Sequence, residues 1–398
     1  MESALSPNKS TRVSDRVSPA NPPLAWLRRQ FLAIDVVIIG FLLFLIAWCL
    51  LSLVAPGVRL YGYEAQFEWA ELPAWTLIGQ LALILGVYVI AQRFGVYYHR
   101  VHTSTGDRAP GWLRVANLVY VFIPILLIPM VFNLLGAFIA GVSGVPGVEH
   151  HPAFDPAMHY DRAASWWDLW LKEADVSMFG VYPAAWFRQF HTPWSVGLMM
   201  LCYLGYYVSP LIAVLPQVLK RDWRLVRRCA AMFAGALIMT YFGYILIPST
   251  GPRFEGTFDA WIVTDSWVTW WQRLLDNAEV IRWDAFPSGH VAIATVACVL
   301  ALKYHRKVGL AYLPFVLGLP VATVFLGYHY VTDVVAGFAF AAAAFLILQP
   351  AVTWWESIWP KPEGTVPVVG HSSSVRRRGQ SPTAGTVPFL HKHAVDHA

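Results

Sequence analysis

The segment 286–290, Phe-Pro-Ser-Gly-His, carries the first chemical signal in the sequence and stands at the start of the apolar run 291–302. A proline at the first helical position, followed by serine and glycine, predicts a helix start with unpaired backbone N–H groups, which suit a phosphate. His290 follows directly and would lie close enough to exchange a proton with a group held there. We therefore predict a phosphate-binding helix N-terminus beside an acid–base histidine.

A second pair of ionisable residues, His329 and Asp333, lies four positions apart at the head of a later apolar run. That spacing puts both side chains on one face of a helix. The carboxylate would accept a hydrogen bond from one ring nitrogen and leave the other free for nucleophilic attack. The alternative for His329 and Asp333 is a hydrogen-bonded pair with a purely structural role. The alternative for His290 is a histidine that caps a helix or lies at the membrane interface. Because ionisable residues at membrane depth are costly, we favour catalysis.

The third candidate group is a positive charge, Arg253. It follows the segment 248–252, Pro-Ser-Thr-Gly-Pro, which predicts a rigid turn after an apolar run. A guanidinium held by such a turn can bind a phosphate through two parallel hydrogen bonds. The alternative is an interfacial arginine that extends toward lipid headgroups. Together with the two histidines, Arg253 indicates a site for phosphoryl transfer.

The composition is that of an integral membrane protein. Of the 398 residues, 57% are hydrophobic and only 13% are charged, whereas soluble domains carry about 25% charged residues. We attribute the net charge of +5 to membrane topology and predict no nucleic-acid partner. The four cysteines match no zinc or disulfide spacing and are interpreted as buried free thiols. We predict no metal and no cofactor.

The predicted fold is an all-α polytopic membrane helix bundle with about eight spans. The apolar runs assigned to spans are 31–55, 75–91, 116–142, 195–219, 226–247, 287–302, 310–327 and 331–348. Residues 1–25 and 353–398 are predicted to be disordered tails. Residues 26–225 would form N-terminal membrane helices with a long extracytoplasmic loop at 143–194, and residues 226–352 a catalytic helix core.

Basic residues alternate between the loops and set the predicted orientation. Loops rich in arginine and lysine, such as 220–228 and 303–307, alternate with loops that carry acidic residues and few bases. By the positive-inside rule both termini are cytoplasmic. Arg253, His290 and His329 then share the non-cytoplasmic face. We therefore predict a plasma or inner membrane protein whose active site lies on the non-cytoplasmic side.

The loop 143–194 offers two further features. Its first half holds possible metal ligands without helical spacing, so we set a zinc site aside. These residues are Glu149, His150, His151, Asp155, His159 and Asp161. The segment 161–174 predicts an amphipathic helix at the membrane interface, serving as an anchor or as a lid above the site. The residues predicted for its apolar face are Trp166, Trp167, Trp170 and Leu171.

At these residues the chain resembles the type-2 phosphatidic acid phosphatase superfamily of integral membrane proteins. That family has three motifs: Lys-x6-Arg-Pro, Pro-Ser-Gly-His and Ser-Arg-x5-His-x3-Asp. The second motif is intact at 287–290, the third is present from His329 to Asp333, and the first survives only as Arg253. The likeness covers roughly residues 226–350 and follows the family's order of motifs.

The resemblance implies a role for each residue. His329 would be the nucleophile that forms a phosphohistidine, and Asp333 would orient it. His290 would protonate the leaving alcohol and then activate the acceptor. The groups that would hold the phosphoryl oxygens are the guanidinium of Arg253 and the backbone N–H groups of Ser288 and Gly289.

The chain departs from the family pattern at its positive charges. Leu246 stands at the lysine position, Phe254 replaces the proline, and Ala322-Thr323 replaces the Ser-Arg pair. A phosphomonoester approaches two negative charges at neutral pH and a diester carries one, so the reduced positive charge favours a diester. The residues available to restore a phosphate contact are Arg162, Lys172 and Arg282.

With Thr323 in place of the arginine, the segment 323–333 also resembles the inositol phosphorylceramide synthase branch of the superfamily. Enzymes of that branch move a phosphorylated head group from one lipid to another lipid's hydroxyl. We therefore predict a lipid phosphotransferase or phosphatase, leaning toward transfer between lipids, with a lipid hydroxyl or water as acceptor. The intact Pro-Ser-Gly-His sequence fits simple phosphatases equally, so hydrolysis of phosphatidate or polyprenyl diphosphate is one alternative. A non-catalytic scaffold or transporter with a decayed phosphate pocket is the other.

Overall fold

The computed structural model describes residues 22–54, 61–63, 69–71, 73–105, 110–142, 166–254, 267–278 and 283–357. Helices dominate these ranges, so the predicted helical class is confirmed. Their order is α1 (Pro22–Gln30), α2 (Ala33–Val54), α3 (Ala74–Thr105), α4 (Gly111–Val142), α5 (Trp166–Phe179), α6 (Pro183–Phe187), α7 (Pro193–Leu204), α8 (Ser209–Leu219), α9 (Trp223–Leu246), α10 (Trp267–Ala278), α11 (Gly289–Tyr304), α12 (Arg306–Phe325), α13 (Val331–Ala343) and α14 (Gln349–Glu356).

Six segments are long and apolar enough to cross a membrane. They are Ala33–Val54, Ala74–Val101, Pro193–Leu219, Trp223–Leu246, Arg306–Phe325 and Val331–Glu356. Two other apolar segments, Gly111–Pro124 and Gly289–Tyr304, are shorter. The total of eight spans and the cytoplasmic position of both termini stay predictions. Helices α1 and α14 extend into the segments predicted as tails, and the rest of those tails lies outside the described residues.

A short hairpin departs from the predicted all-helical fold. Strand β1 (Tyr61–Tyr63) pairs antiparallel with β2 (Trp69–Glu71), with Tyr61 opposite Glu71. Both strands lie in the connection between α2 and α3. Aromatic residues favour extended pairing, whereas the sequence predicts only a loop between the first two spans.

Helix α9 occupies the centre of the bundle and is buried along most of its length. It packs against α2, α4, α8 and α11. Small residues allow these helices to approach closely. The small buried residues of α9 are Ala230, Ala231, Ala234, Gly235, Ala236 and Gly243. Because α11 begins with the Pro-Ser-Gly-His motif, this packing places that motif against the end of α9.

The predicted fourth span is two helices rather than one. Helix α7 ends at Leu204, a single turn of 3-10 helix follows, and α8 begins at Ser209. Pro210 in the first turn of α8 lacks a backbone N–H and so cannot continue the preceding helical ladder. The break leaves the Gly205 carbonyl to accept a hydrogen bond from the Tyr312 hydroxyl on α12, at 3.0 Å. It also turns the end of α7 toward the start of α11.

Candidate active site

Two helix starts, those of α11 and α13, meet at the candidate site. Ser288 caps α11: its side-chain oxygen accepts from Val291 N at 3.4 Å. Asp333, the third residue of α13, reaches back to the start of that helix, where its side chain accepts from Tyr330 N at 2.8 Å. A backbone hydrogen bond from Ser288 N to the Asp333 carbonyl, 2.9 Å long, joins the two ends. The motifs at 287–290 and 329–333, distant in sequence, are thus held together by their own backbone.

The two predicted histidines are in direct contact. His290 Nδ1 lies 3.1 Å from His329 Nε2, with the rings nearly perpendicular at 65°. His329 lies in the connection between α12 and α13, where its backbone N–H donates to the Thr323 carbonyl at 3.2 Å. Its side chain is buried, while that of His290 is partly exposed. This arrangement allows proton exchange between the rings, or a phosphoryl group to enter beside both.

The second nitrogen of His329 faces a backbone carbonyl. His329 Nδ1 lies 2.8 Å from the Ala285 carbonyl oxygen and 3.5 Å from Asp333 Oδ2. The structure therefore brings Asp333 to the histidine, as the sequence predicts, but gives the shorter contact to Ala285. Since a carbonyl only accepts, Nδ1 must carry the proton and Nε2 the lone pair in the neutral ring. His329 is thus oriented with Nε2 as its nucleophilic atom.

The electrostatics favour a neutral His329. Burial lowers the pKa of its imidazole to about 4, and the hydrogen bond to the Ala285 carbonyl opposes that shift only in part. The ring is therefore unprotonated at neutral pH. A neutral imidazole with a free Nε2 lone pair is the form in which histidine attacks phosphorus.

The phosphate-binding groups divide between backbone and side chain. The Ser288 N–H, predicted to hold phosphate, is engaged by the Asp333 carbonyl. The N–H groups of Gly289 and His290 lie in the first turn of α11, where a helix has no internal acceptor for them. A Cβ at Gly289 would clash with the Tyr244 hydroxyl, so only glycine permits this close approach. In the structure, Gly289 therefore offers its N–H more directly than Ser288 does.

Arg253 lies at the same end of the bundle. Its backbone N–H donates to the Gly327 carbonyl at 2.7 Å. Its guanidinium lies over the ring of Tyr328, 4.7 Å from the centroid. Gly251, with φ of +83°, makes the turn before it, and a Cβ there would clash with the Tyr328 carbonyl. These contacts fix Arg253 beside the residue that precedes His329.

Helix α5 ties the motif loops together through two buried carboxylates. Asp168 accepts from Thr250 N at 3.0 Å and from Gly251 N at 2.9 Å. Asp175, two turns later, accepts from Val331 N at 2.7 Å and from both the backbone N and the hydroxyl of Thr332. One helix thereby braces the turn before Arg253 and the loop after His329.

The buried face of α5 carries two carboxylates. Asp168, Leu171 and Asp175 are fully buried, whereas Trp170 is 48% exposed. The sequence predicts the tryptophans for an apolar face at the membrane interface, and an exposed Trp170 is compatible with that; what it does not predict is a face that buries two carboxylates. In the structure the two carboxylates turn inward because they satisfy backbone N–H groups, which would otherwise be costly to bury. The first residues of the predicted helix, 161–165, lie outside the described part of the chain.

We expect Asp168→Asn to lower both stability and turnover. The amide keeps one acceptor and turns an NH2 group toward N–H donors, so the expected loss in unfolding free energy is about 2 kcal/mol. Displacement of the turn before Arg253 should also slow the reaction. Asp222→Asn is the matched control. Asp222 caps the N-terminal end of α9, a whole helix away from the turn before Arg253, and accepts from Leu225 N at 3.0 Å. Asparagine caps a helix equally well. Thermal unfolding and turnover measured on both variants test this; equal values would contradict the bracing role.

Tyr203 was not identified from the sequence. Its hydroxyl lies 2.8 Å from His290 Nε2, and its ring stacks on that of Tyr328 with centroids 4.4 Å apart. The ring of Tyr206 also contacts His290, at 4.4 Å between centroids. The one sequence signal was the cluster of three tyrosines at 203, 206 and 207 in an apolar run, a pattern equally typical of packing.

Other predicted features fall outside the site or outside the described ranges. Within those ranges, no group of three or more His, Cys, Asp or Glu side chains is placed to hold a metal ion. The possible ligands at 149–161, together with Arg162 and Arg282, lie among the residues that are not described. Lys172 on α5 is described, and its ammonium lies over the Tyr182 ring at 4.7 Å.

Comparison with known proteins gives one match. Residues 169–347 match the PAP2 superfamily, a stretch a little under half of the chain. It begins within α5 and includes every residue predicted for the site. Neither the curated proteins nor the solved structures contain a match to the chain.

Proposed function

We propose that the protein is a membrane enzyme that cleaves lipid phosphate esters through a phosphohistidine at His329. The observation that carries the proposal is the 3.1 Å contact between His290 Nδ1 and His329 Nε2, with His329 Nδ1 bonded to the Ala285 carbonyl. This arrangement leaves a neutral nucleophile next to an acid–base group. The match to the PAP2 superfamily and the apolar helices support a lipid substrate.

The reaction has two balanced halves. First, His329 Nε2 attacks phosphorus, the bond to the leaving oxygen breaks, and protonated His290 supplies the proton that makes the leaving group an alcohol. Then His290 removes a proton from the acceptor hydroxyl, whose oxygen attacks phosphorus and releases His329. Arg253 and the first-turn N–H groups of α11 would hold the non-bridging oxygens, where negative charge increases in the transition state.

The low positive charge of the site favours a phosphodiester and head-group transfer between lipids. Leu246, at the position of the family's lysine, is 69% exposed and points away from the core. Thr323, at the position of its arginine, is buried and donates to the Pro320 carbonyl at 2.9 Å, so its short side chain adds no charge to the site. A diester carries one negative charge, which Arg253 and the helix end can balance.

Hydrolysis of phosphatidate or polyprenyl diphosphate is the alternative, favoured by the complete Pro-Ser-Gly-His motif at 287–290. Water would then take the place of the acceptor lipid in the second half of the reaction. A non-catalytic scaffold or transporter is the weaker alternative, because it gives no reason for two histidines in contact at the site.

Product analysis separates these functions. The full-length protein, in mixed lipid micelles with chelator, is offered phosphatidylinositol with ceramide or diacylglycerol, and separately phosphatidate; His329→Ala is the control. A head-group-bearing acceptor lipid formed only by the wild type would establish transfer. Inorganic phosphate released only from phosphatidate would establish the phosphatase and refute the charge argument. Absence of both products would favour the non-catalytic alternative.

The depressed pKa of His329 predicts an unusual pH profile. Since neutral His329 is the nucleophile and protonated His290 is the acid, kcat/KM for a diester donor should not fall as the pH is lowered through 6.5 and should decline only near the His329 pKa of about 4. A diester does not titrate in this range, so the substrate adds no acid limb of its own. Recovery of activity on return to neutral pH controls for unfolding. An acid limb near 6.5 would contradict a buried neutral nucleophile.

A further inference from the structure

Tyr203 has a place in the site that the proposed reaction does not yet use. It lies in the last turn of α7, outside every motif of the resemblance, and its side chain is fully buried. Its hydroxyl reaches His290 Nε2 at 2.8 Å, while His290 Nδ1 faces His329. Both nitrogens of the acid–base histidine therefore have a defined neighbour.

We propose that Tyr203 is a positioning residue that fixes the tautomer and the orientation of His290. The proposal rests on the proposed function, in which His290 is the proton donor and acceptor, and adds to it a residue from α7. The contact that carries it is the hydrogen bond between the Tyr203 hydroxyl and His290 Nε2.

The contacts from the Ala285 carbonyl through His329 and His290 to Tyr203 fix which nitrogen of each histidine carries a proton. The Ala285 carbonyl can only accept, so His329 carries its proton on Nδ1 and a lone pair on Nε2. His290 Nδ1, at 3.1 Å from that lone pair, must then be the donor. Neutral His290 is left with a lone pair on Nε2, which accepts from the Tyr203 hydroxyl. Free histidine favours the opposite tautomer, so the site must impose this one.

A hydroxyl suits both protonation states of His290. It donates to Nε2 of the neutral ring and accepts from Nε2–H of the protonated ring, because a phenol is both donor and acceptor. In the first half of the reaction, protonated His290 gives its Nδ1 proton to the leaving oxygen and keeps the Nε2 proton bonded to Tyr203. Nδ1 is then the free base that takes the acceptor's proton in the second half.

The surroundings hold Tyr203 in place for this role. Its ring stacks on Tyr328 at an interplanar angle of 13°, and the Arg253 guanidinium lies over the same Tyr328 ring. The phosphate-binding arginine and the acid–base histidine are thus aligned by one pair of stacked rings. A tyrosine present only for packing would need the ring and not the hydroxyl.

Tyr203→Phe removes the hydroxyl alone and tests the proposal. Tyr312→Phe is the matched control, since it deletes a buried phenol hydroxyl that bonds the Gly205 carbonyl, close to α7 but away from the histidines. We expect Tyr203→Phe to lower kcat by about 10- to 100-fold with KM little changed, a part of the contribution of general acid–base catalysis. Tyr312→Phe should leave kcat within about twofold of the wild type.

Nitrogen-15 NMR of histidine side chains reports the tautomer of His290, which would not change if Tyr203 contributed only packing. In the wild type at alkaline pH, the His290 signal, assigned by its loss in His290→Asn, should show the proton on Nδ1. In Tyr203→Phe we expect the population with the proton on Nε2 to appear. An unchanged tautomer and an unchanged kcat in Tyr203→Phe would overturn the proposal.

The two proposals fail in different ways. If the wild type turns over no lipid phosphate, the proposed function is wrong, and the NMR result alone decides the role of Tyr203. The Nδ1–H tautomer, lost in Tyr203→Phe, would then support the positioning role, and a wild-type Nε2–H tautomer would refute it. If the wild type is active and Tyr203→Phe matches Tyr312→Phe in both readouts, the function stands and only the role of Tyr203 falls.

Discussion

His329→Ala is expected to abolish turnover, with kcat lower by about four orders of magnitude or more, because it removes the atom that bonds to phosphorus. The ring of His329 is buried, its Nδ1 is bonded to the Ala285 carbonyl, and its Nε2 faces His290. Among the described residues, no other side chain is shown with a nucleophilic nitrogen beside Nδ1 of His290. The loss should therefore fall on kcat, with binding of the lipid largely retained.

The covalent intermediate gives a direct measurement. Wild-type protein mixed briefly with a donor lipid labelled in its phosphate should retain label that is stable to alkali and released by acid, as expected of a phosphohistidine. His329→Ala should retain none. His305→Ala is the control because His305 follows the other end of α11, a whole helix away from His290, and should label like the wild type. Label that persists in His329→Ala would assign the nucleophile elsewhere.

The parts of this site that were predictable obey local rules. A Pro-Ser-Gly-His sequence before an apolar run predicts a helix start with the proline as its first residue; the helix does start in this motif, but at Gly289, two residues after Pro287, with Ser288 as its cap. The spacing of His329 and Asp333 predicts a shared helical face; the structure brings the two within 3.5 Å, although His329 lies two residues before α13 begins. Such features depend on a few neighbouring residues, so the sequence contains the information that is needed.

The parts that were missed depend on contacts between distant segments. The carbonyl of Ala285 orients His329, but every residue has a carbonyl, so no sequence pattern marks this one. Asp168 and Asp175 were interpreted as acidic charges of an extracytoplasmic loop, and only the folded chain brings their carboxylates to the N–H groups of other loops. Tyr203 is one tyrosine among 17 in the sequence. Its role follows from the turn after Leu204, which residue types alone did not predict.

Arg253→Gln is expected to lower kcat/KM for a diester donor by about 100- to 1,000-fold, the usual cost of losing one strong donor to a developing anion. The effect should be large because the family's lysine and arginine positions hold Leu246 and Thr323 here, so the charge lost has no counterpart at those positions. Arg253→Lys should recover only part of the rate. It keeps the charge but loses the paired donors and the planar contact with Tyr328 that orients them.

Comparing Arg253→Lys with Arg253→Gln, with Arg306→Gln as the control, tells whether Arg253 holds phosphate or only supports the structure. Arg306→Gln removes an exposed arginine from the first turn of α12, and we expect it to leave kcat/KM within about twofold of the wild type. If Arg253 only braced Tyr328, the rate would follow the thermal midpoint, because a lysine that restores the contact with the ring would restore both and a glutamine that loses it would lower both. If Arg253 holds phosphate, lysine should exceed glutamine in kcat/KM at similar thermal midpoints, because a positive charge at that point stabilises the transition state even without ideal geometry. The ranking Arg, then Lys, then Gln is therefore the result that the phosphate-binding role requires.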